Sequence, residues 1–114
     1  MKRILFFMVC IPLLLMGCAK KNAQLIQAAY DGDLPAVQTL LEKGADVNAK
    51  DTTDGVTVLW MAAQEGHTEV VKLLLEKGAE VNARANNGFT ALGEAKKKGH
   101  KDIVQLLEKA GAKE

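Results

Sequence analysis

A stack of short helical hairpins, all-α in class, is the fold this chain predicts, and three observations carry it. The segment Leu40-Leu41-Glu42-Lys43-Gly44-Ala45-Asp46-Val47-Asn48-Ala49 returns as Leu74-Leu75-Glu76-Lys77-Gly78-Ala79-Glu80-Val81-Asn82-Ala83, and again, shortened, as Leu106-Leu107-Glu108-Lys109-Ala110-Gly111-Ala112. Gly44, Gly78 and Gly111 step by 34 and then 33 residues, and an independent series, Gly32, Gly66 and Gly99, steps by the same amounts. Between two such glycines lies an apolar run such as Val70-Val71-Lys72-Leu73-Leu74-Leu75. Two markers sharing one period in this range point to stacked supersecondary units, none of which can bury its apolar face alone.

The first element is a leader. Met1-Lys2-Arg3 is basic, and Ile4 to Met16 is apolar apart from Pro12. A basic start, an apolar run of this length and small residues after it describe a secretory signal peptide. The run falls short of the roughly 18 apolar residues a membrane span needs. Leu15-Met16-Gly17-Cys18 resembles a bacterial lipobox, with Met16 an unusual occupant of its position. That resemblance implies a leader over residues 1–17, lipidation of Cys18 and a short tether to residue 22, ahead of the repeats over 23–114. Two or more acyl chains would anchor the protein stably to a membrane. The alternative is ordinary cleavage after Ala19, which yields a soluble secreted or periplasmic form. If Cys18 is lipidated, Ala19 to Asn22 reach at most about 14 Å. The array would then lie against the membrane, with Lys20 and Lys21 near anionic headgroups. Ala19, rather than aspartate, after the cysteine resembles the outer-membrane class of lipoproteins.

Cysteine and charge set further bounds. Cys10 lies in the leader, so removing the leader leaves no cysteine pair, and packing alone must hold the domain together. Removing Lys2 and Arg3 turns 15 basic against 14 acidic residues into 13 against 14, a formal charge of −1. Such a balance carries no global bias towards nucleic acid.

The repeat units follow, at about 22–53, 54–86 and 87–114. The first begins directly as a helix at Ala23-Gln24-Leu25-Ile26. After Gly32, Asp33 is a capping acceptor ahead of Leu34-Pro35, and proline is tolerated in a helix's first turn. In the second unit Ala62-Ala63 belongs to a small-residue helix that Gly66 ends, since glycine accepts positive φ cheaply. The helix that follows is apolar on nearly every side and needs burial against several partners. Between units, the polar stretches Asn48–Gly55 and Asn82–Gly88 carry the turn-forming pairs Asp54-Gly55 and Asn87-Gly88.

The stretch from Asp54 through Gly55-Val56-Thr57-Val58-Leu59-Trp60-Met61-Ala62-Ala63 and Gly66-His67-Thr68-Glu69-Val70-Val71 to Leu75, completed by Gly78-Ala79-Glu80-Val81-Asn82-Ala83, resembles the ankyrin repeat. The resemblance covers residues 22–114. It implies a solenoid of about three helix-turn-helix units with short β-hairpin fingers projecting at about a right angle. The family's Thr-Pro-Leu-His appears as Thr57-Val58-Leu59-Trp60 and as Thr90-Ala91-Leu92-Gly93, so a Thr–His bond at each helix start is not available. The first unit lacks this segment and its finger, as an N-terminal cap does, and the third reads as a C-terminal cap.

No catalytic constellation emerges. His67 and His100 occupy equivalent positions in units stacked about 10 Å apart, which leaves each as a loop histidine bonding locally. The chain contains no serine, no glycine-rich phosphate loop and no metal-ligand spacing. No enzyme, cofactor or metal is therefore expected. The resemblance implies a protein partner held by finger tips and first helices. The matching residues are Tyr30 and Asp31 in the first unit, Thr53, Asp54, Val56, Gln64 and Glu65 in the second, and Asn86, Asn87, Phe89, Lys97 and Lys98 in the third. Tyr30, Trp60 and Phe89 are the mature chain's aromatics, a class enriched at hot spots. Lys96-Lys97-Lys98 and Lys101 cluster at one end, against Asp31 and Glu65 earlier in the array, and suit an acidic partner patch. The expectation is a membrane-tethered periplasmic protein mediating protein–protein interaction. The alternative is an accessory or immunity-like factor that protects an envelope enzyme or toxin.

Overall fold

The computed structural model describes residues 20–113, so the leader and Cys18 lie outside the described residues. Six helices among them pair into three hairpins: α1 (20–31) with α2 (Leu34–Glu42), α3 (Val58–Glu65) with α4 (Thr68–Glu76), and α5 (Ala91–Lys98) with α6 (Lys101–Lys109). The all-α expectation holds. Extended pairing among the described residues is confined to one antiparallel bridge at the base of each finger, Lys50 with Thr57 and Arg84 with Thr90. The first bridge spans one residue more than the second, which accounts for the 34- and 33-residue steps.

Local chemistry starts and stops each helix. Asp33 Oδ1 accepts from the Ala36 amide at 3.2 Å, and Pro35 occupies the first turn of α2. Thr57 Oγ1 accepts from the Trp60 amide at 3.0 Å, and Thr90 Oγ1 from the Gly93 amide at 3.2 Å. The threonines thus cap α3 and α5 without the histidine that the family pattern supplies. Gly66 ends α3 at φ +79°, in the left-handed region.

The start of α1 differs from the expected tether, because residues 20–22 are helical. Lys21 Nζ donates to the carbonyl of Lys43, the residue that closes α2, at 3.0 Å. Its ammonium is therefore spent on a helix C-terminus, where a cation opposes the partial negative charge. Asn22 Oδ1 accepts from the Asp46 amide at 2.9 Å.

One apolar core runs through all three units. Leu25, Val37, Leu59, Val70, Leu74, Ile103 and Leu107 are buried within it, and Ala28, Ala29, Ala62, Ala63 and Ala95 let the helices approach closely. A smaller cluster of Val56, Trp60 and Ala85, flanked by Met61, seats the second finger on α3. The Trp60 indole Nε1 donates to the Phe89 carbonyl at 3.2 Å.

Register between units rests on two polar series. Asn48 Oδ1 accepts from the Glu80 amide at 2.7 Å, and Asn82 Oδ1 from the Lys113 amide at 2.8 Å. Asn22 does the same for Asp46, standing in for a preceding finger. The histidines form the second series and correct the expectation of local bonding. His67 Nε2 reaches the Tyr30 carbonyl at 2.8 Å, and His100 Nε2 reaches the Gln64 carbonyl at 2.9 Å, each in the preceding unit. A carbonyl only accepts, so Nε2 carries the proton in both rings. The third unit turns polar on its outer side: Lys96 and Glu108 are exposed where the first two units place Ala29 and Ala63, both buried, and Leu41 and Leu75, both half-buried. Terminal units of solenoids carry such polar outer faces.

Candidate protein-interaction surface

Fingers and first helices carry the candidate contact residues, and each finger tip is held by its own polar side chains. The tip of the first finger is held by Asp51. Its Oδ1 accepts from the Thr53 amide at 2.6 Å and also from the Thr53 hydroxyl. These hydrogen bonds, the side-chain one foremost, hold the Asp51 carboxyl below the usual aspartate range. Asn86 ties the second finger to the first, its Nδ2 donating to the Thr53 carbonyl at 3.2 Å and its backbone amide to the Asp54 carbonyl at 2.9 Å. Asn87 Oδ1 accepts from the Phe89 amide at 3.0 Å.

Between these fingers and α3 lies a recess of about 250 Å³ lined by Asp54, Val56, Trp60, Met61, Gln64, Ala85, Asn86 and Asn87. The structure thereby brings five sequence-predicted contact residues, Asp54, Val56, Gln64, Asn86 and Asn87, around one cavity. Two of them differ from a simple surface contact. Val56 is only 4% exposed, because the second finger covers it, so it serves mainly as packing. Gln64 is half-buried, with its carbonyl committed to His100 and its side chain on the recess. Glu65 is exposed at the end of α3.

The third unit presents a different chemistry. Gly93 stands where the second unit has Trp60, so the indole's space has no counterpart, and a cavity of about 310 Å³ opens between Arg84, Gly88, Phe89, Thr90 and Gly93. Phe89 is 42% exposed, and its ring leans over Gly93, where an added Cβ would lie 3.1 Å from Cδ1. Lys97 Nζ sits 5.4 Å from the centroid of that ring. A cation over an exposed aromatic face is worth about 0.5–1 kcal/mol. Lys98 is exposed beside it, and the three lysines in the last turn of α5 also suit the helix dipole. Tyr30, 48% exposed, and Asp31 stand apart from both cavities at the end of α1.

One residue escaped the sequence reading. Glu94, at the position of Met61, is 2% exposed, and its Oε2 has no hydrogen-bond partner among the described residues. Sequence offers little signal for it: flanked by Lys96-Lys97-Lys98, it reads as part of a solvated face.

Among the described residues no group of three or more His, Cys, Asp or Glu side chains could hold a metal ion, and no helix is long and apolar enough to cross a membrane. Each histidine is bonded to the unit before it, so the two do not converge on one site. A stacked-hairpin solenoid with a finger-and-helix face belongs to the class of repeat scaffolds. The family model for ankyrin repeats (3 copies) matches residues 25–113, and the chain belongs to the ankyrin-repeat family. Repeats of this family are protein–protein interaction modules and typically non-catalytic. A search of curated proteins found no match.

Proposed function

We propose that this protein docks a partner protein on the face formed by the two fingers with α3 and α5. The observation that carries the proposal is the contrast between its two neighbouring cavities. The recess at Asp54, Gln64, Asn86 and Asn87 offers polar donors and acceptors around a Trp60 wall. The adjoining surface offers an exposed Phe89 capped by Lys97. Aromatic anchors beside cations fit a partner segment that carries an apolar side chain flanked by carboxylates.

The same proposal places the protein in a bacterial envelope, on the periplasmic side of a membrane and in the outer-membrane class, held by lipid on Cys18. Support comes from the basic and apolar leader and from Leu15-Met16-Gly17-Cys18. Because α1 begins by residue 20, a lipidated Cys18 would hold the first unit within a residue or two of the bilayer.

Replacing Gln64, Glu65, Lys97 and Lys98 together by alanine tests the surface. Chemical crosslinking in cells followed by mass spectrometry should lose the partner, while circular dichroism of the variant stays unchanged. Undiminished crosslinking would contradict the assignment. Mass spectrometry of the mature N-terminus tests the anchor: a diacylated Cys18 supports it, and an unmodified Lys20 as first residue refutes it.

A further inference from the structure

We infer that the outer face of the first unit is a second docking site, built to take a basic amphipathic helix of another protein. It lies away from the fingers and does not depend on the finger-face proposal.

Val58, Ala62, Val70 and Leu74 of the second unit are buried to 1% exposure or less, on the side where His67 reaches back to the first unit. Ala91, Ala95, Ile103 and Leu107 of the third unit are buried to 2% or less in the same way. This side of a unit is therefore shaped to receive helices, twice over within one chain. The first-unit counterparts are Gln24, Ala28, Ala36 and Leu40. They line an open groove of about 570 Å³ between α1 and α2, together with Gln27, Asp31, Asp33, Pro35 and Thr39.

The substitutions define the occupant. The floor stays apolar, with Ala28, Pro35, Ala36 and Leu40. Gln24 replaces the valine of the second unit, Gln27 the methionine, and Asp33 the histidine. Asp31 and Asp33 are both exposed, and no salt bridge reaches either among the described residues. Asp31 accepts from Gln27 Nε2 at 3.2 Å, and Asp33 accepts from the Ala36 amide at 3.2 Å. An apolar floor with a carboxylate and amide rim complements a helix that carries small apolar residues on one stripe and lysine or arginine beside it. The nine residues of α2 rise about 13 Å, enough to seat two to three turns of such a helix.

The test uses the full chain with two synthetic helical peptides, one with an alanine–leucine stripe flanked by lysines, the other with the same stripe flanked by glutamates. In a ¹⁵N amide titration the lysine peptide should shift Ala28, Ala36 and Leu40, and the glutamate peptide should not. Asp31→Asn with Asp33→Asn keeps the α2 cap, since asparagine caps as well as aspartate. It should weaken the lysine peptide by roughly 3- to 10-fold, the worth of two exposed charge pairs. Ala36→Arg fills the groove and adds a cation, and should abolish binding while the remaining amide spectrum is preserved. Equal binding of both peptides, shifts confined to Phe89 and Lys97, or no shifts would overturn the inference. Concentration-dependent shifts at the groove in the chain alone would also overturn it, by making a second copy the occupant.

Discussion

Gly66→Ala and Gly99→Ala form a matched pair that isolates the contact between units. Both glycines close a helix at φ +79°, so an alanine at either site bears the same backbone strain. That strain costs about 1–2 kcal/mol, offset in part by about 0.4–1 kcal/mol from a stiffer unfolded chain. Their surroundings differ. A Cβ at Gly66 would lie 2.8 Å from Cε1 of His100, whereas at Gly99 nothing among the described residues lies within 4 Å. The His100 ring must therefore move in Gly66→Ala and lose its bond to the Gln64 carbonyl. A hydrogen bond is worth about 1 kcal/mol net, and orphaning a half-buried carbonyl adds to it. Gly66→Ala should then exceed Gly99→Ala by about 1–2 kcal/mol, and each kcal/mol shifts the melting temperature of a domain this size by about 4–8 °C. Urea denaturation followed by circular dichroism and by Trp60 fluorescence measures the difference, and coincident transitions license the two-state treatment. In a His100→Ala background the excess should vanish. Equal costs at the two glycines, or an excess that survives removal of His100, would refute the histidine's role between units.

Trp60→Ala should destabilise the domain by about 3–5 kcal/mol, the range for emptying a packed aromatic site, with the second finger's amides losing hydrogen-exchange protection first. Glu94→Met, which restores the second unit's residue at that position, should stabilise by about 1–3 kcal/mol, because it removes a buried oxygen without a partner among the described residues; a lower melting temperature would contradict this. Thr53→Val should raise the Asp51 carboxyl towards the ordinary range in an NMR titration, since the hydroxyl is the largest cause of its lowering. The sign follows from linkage: a depressed carboxyl contributes stability that is complete above its unfolded value and lost as pH falls through its folded one. Thr53→Val should therefore flatten the dependence of stability on pH in the acid limb only.

Much of the fold was legible because glycines punctuate it. The 34- and 33-residue steps located every hairpin, and Asp33 with Pro35 located the start of α2. The contacts between units were less legible, for a physical reason. The acceptors of His67 and His100 are backbone carbonyls of Tyr30 and Gln64, and a carbonyl leaves no residue type for a pattern to reveal. Asn48 and Asn82 share the period, yet Asn22 sits 26 residues before Asn48 and copies their role from outside it. Lys21 read as a membrane-facing cation because its acceptor, the end of α2, lies 22 residues away. Of the candidate surface, the finger tips and Phe89 were readable as exposed. The burial of Val56 was not, because it depends on the next finger folding back over α3. The cavity at Gly93 follows from the missing indole, visible in the sequence only once Trp60 is known to fill the same space.

Site-specific photocrosslinking in cells tests whether the finger-and-helix face is what this scaffold presents to its partner. A photoreactive residue would be placed at Phe89 or Lys97 and, as a control, at Gln105 on the far side of the hairpins. One shared crosslinked partner is expected from Phe89 and Lys97, and none from Gln105. Capture of that partner from Gln105 alone, or equally from all three positions, would contradict it.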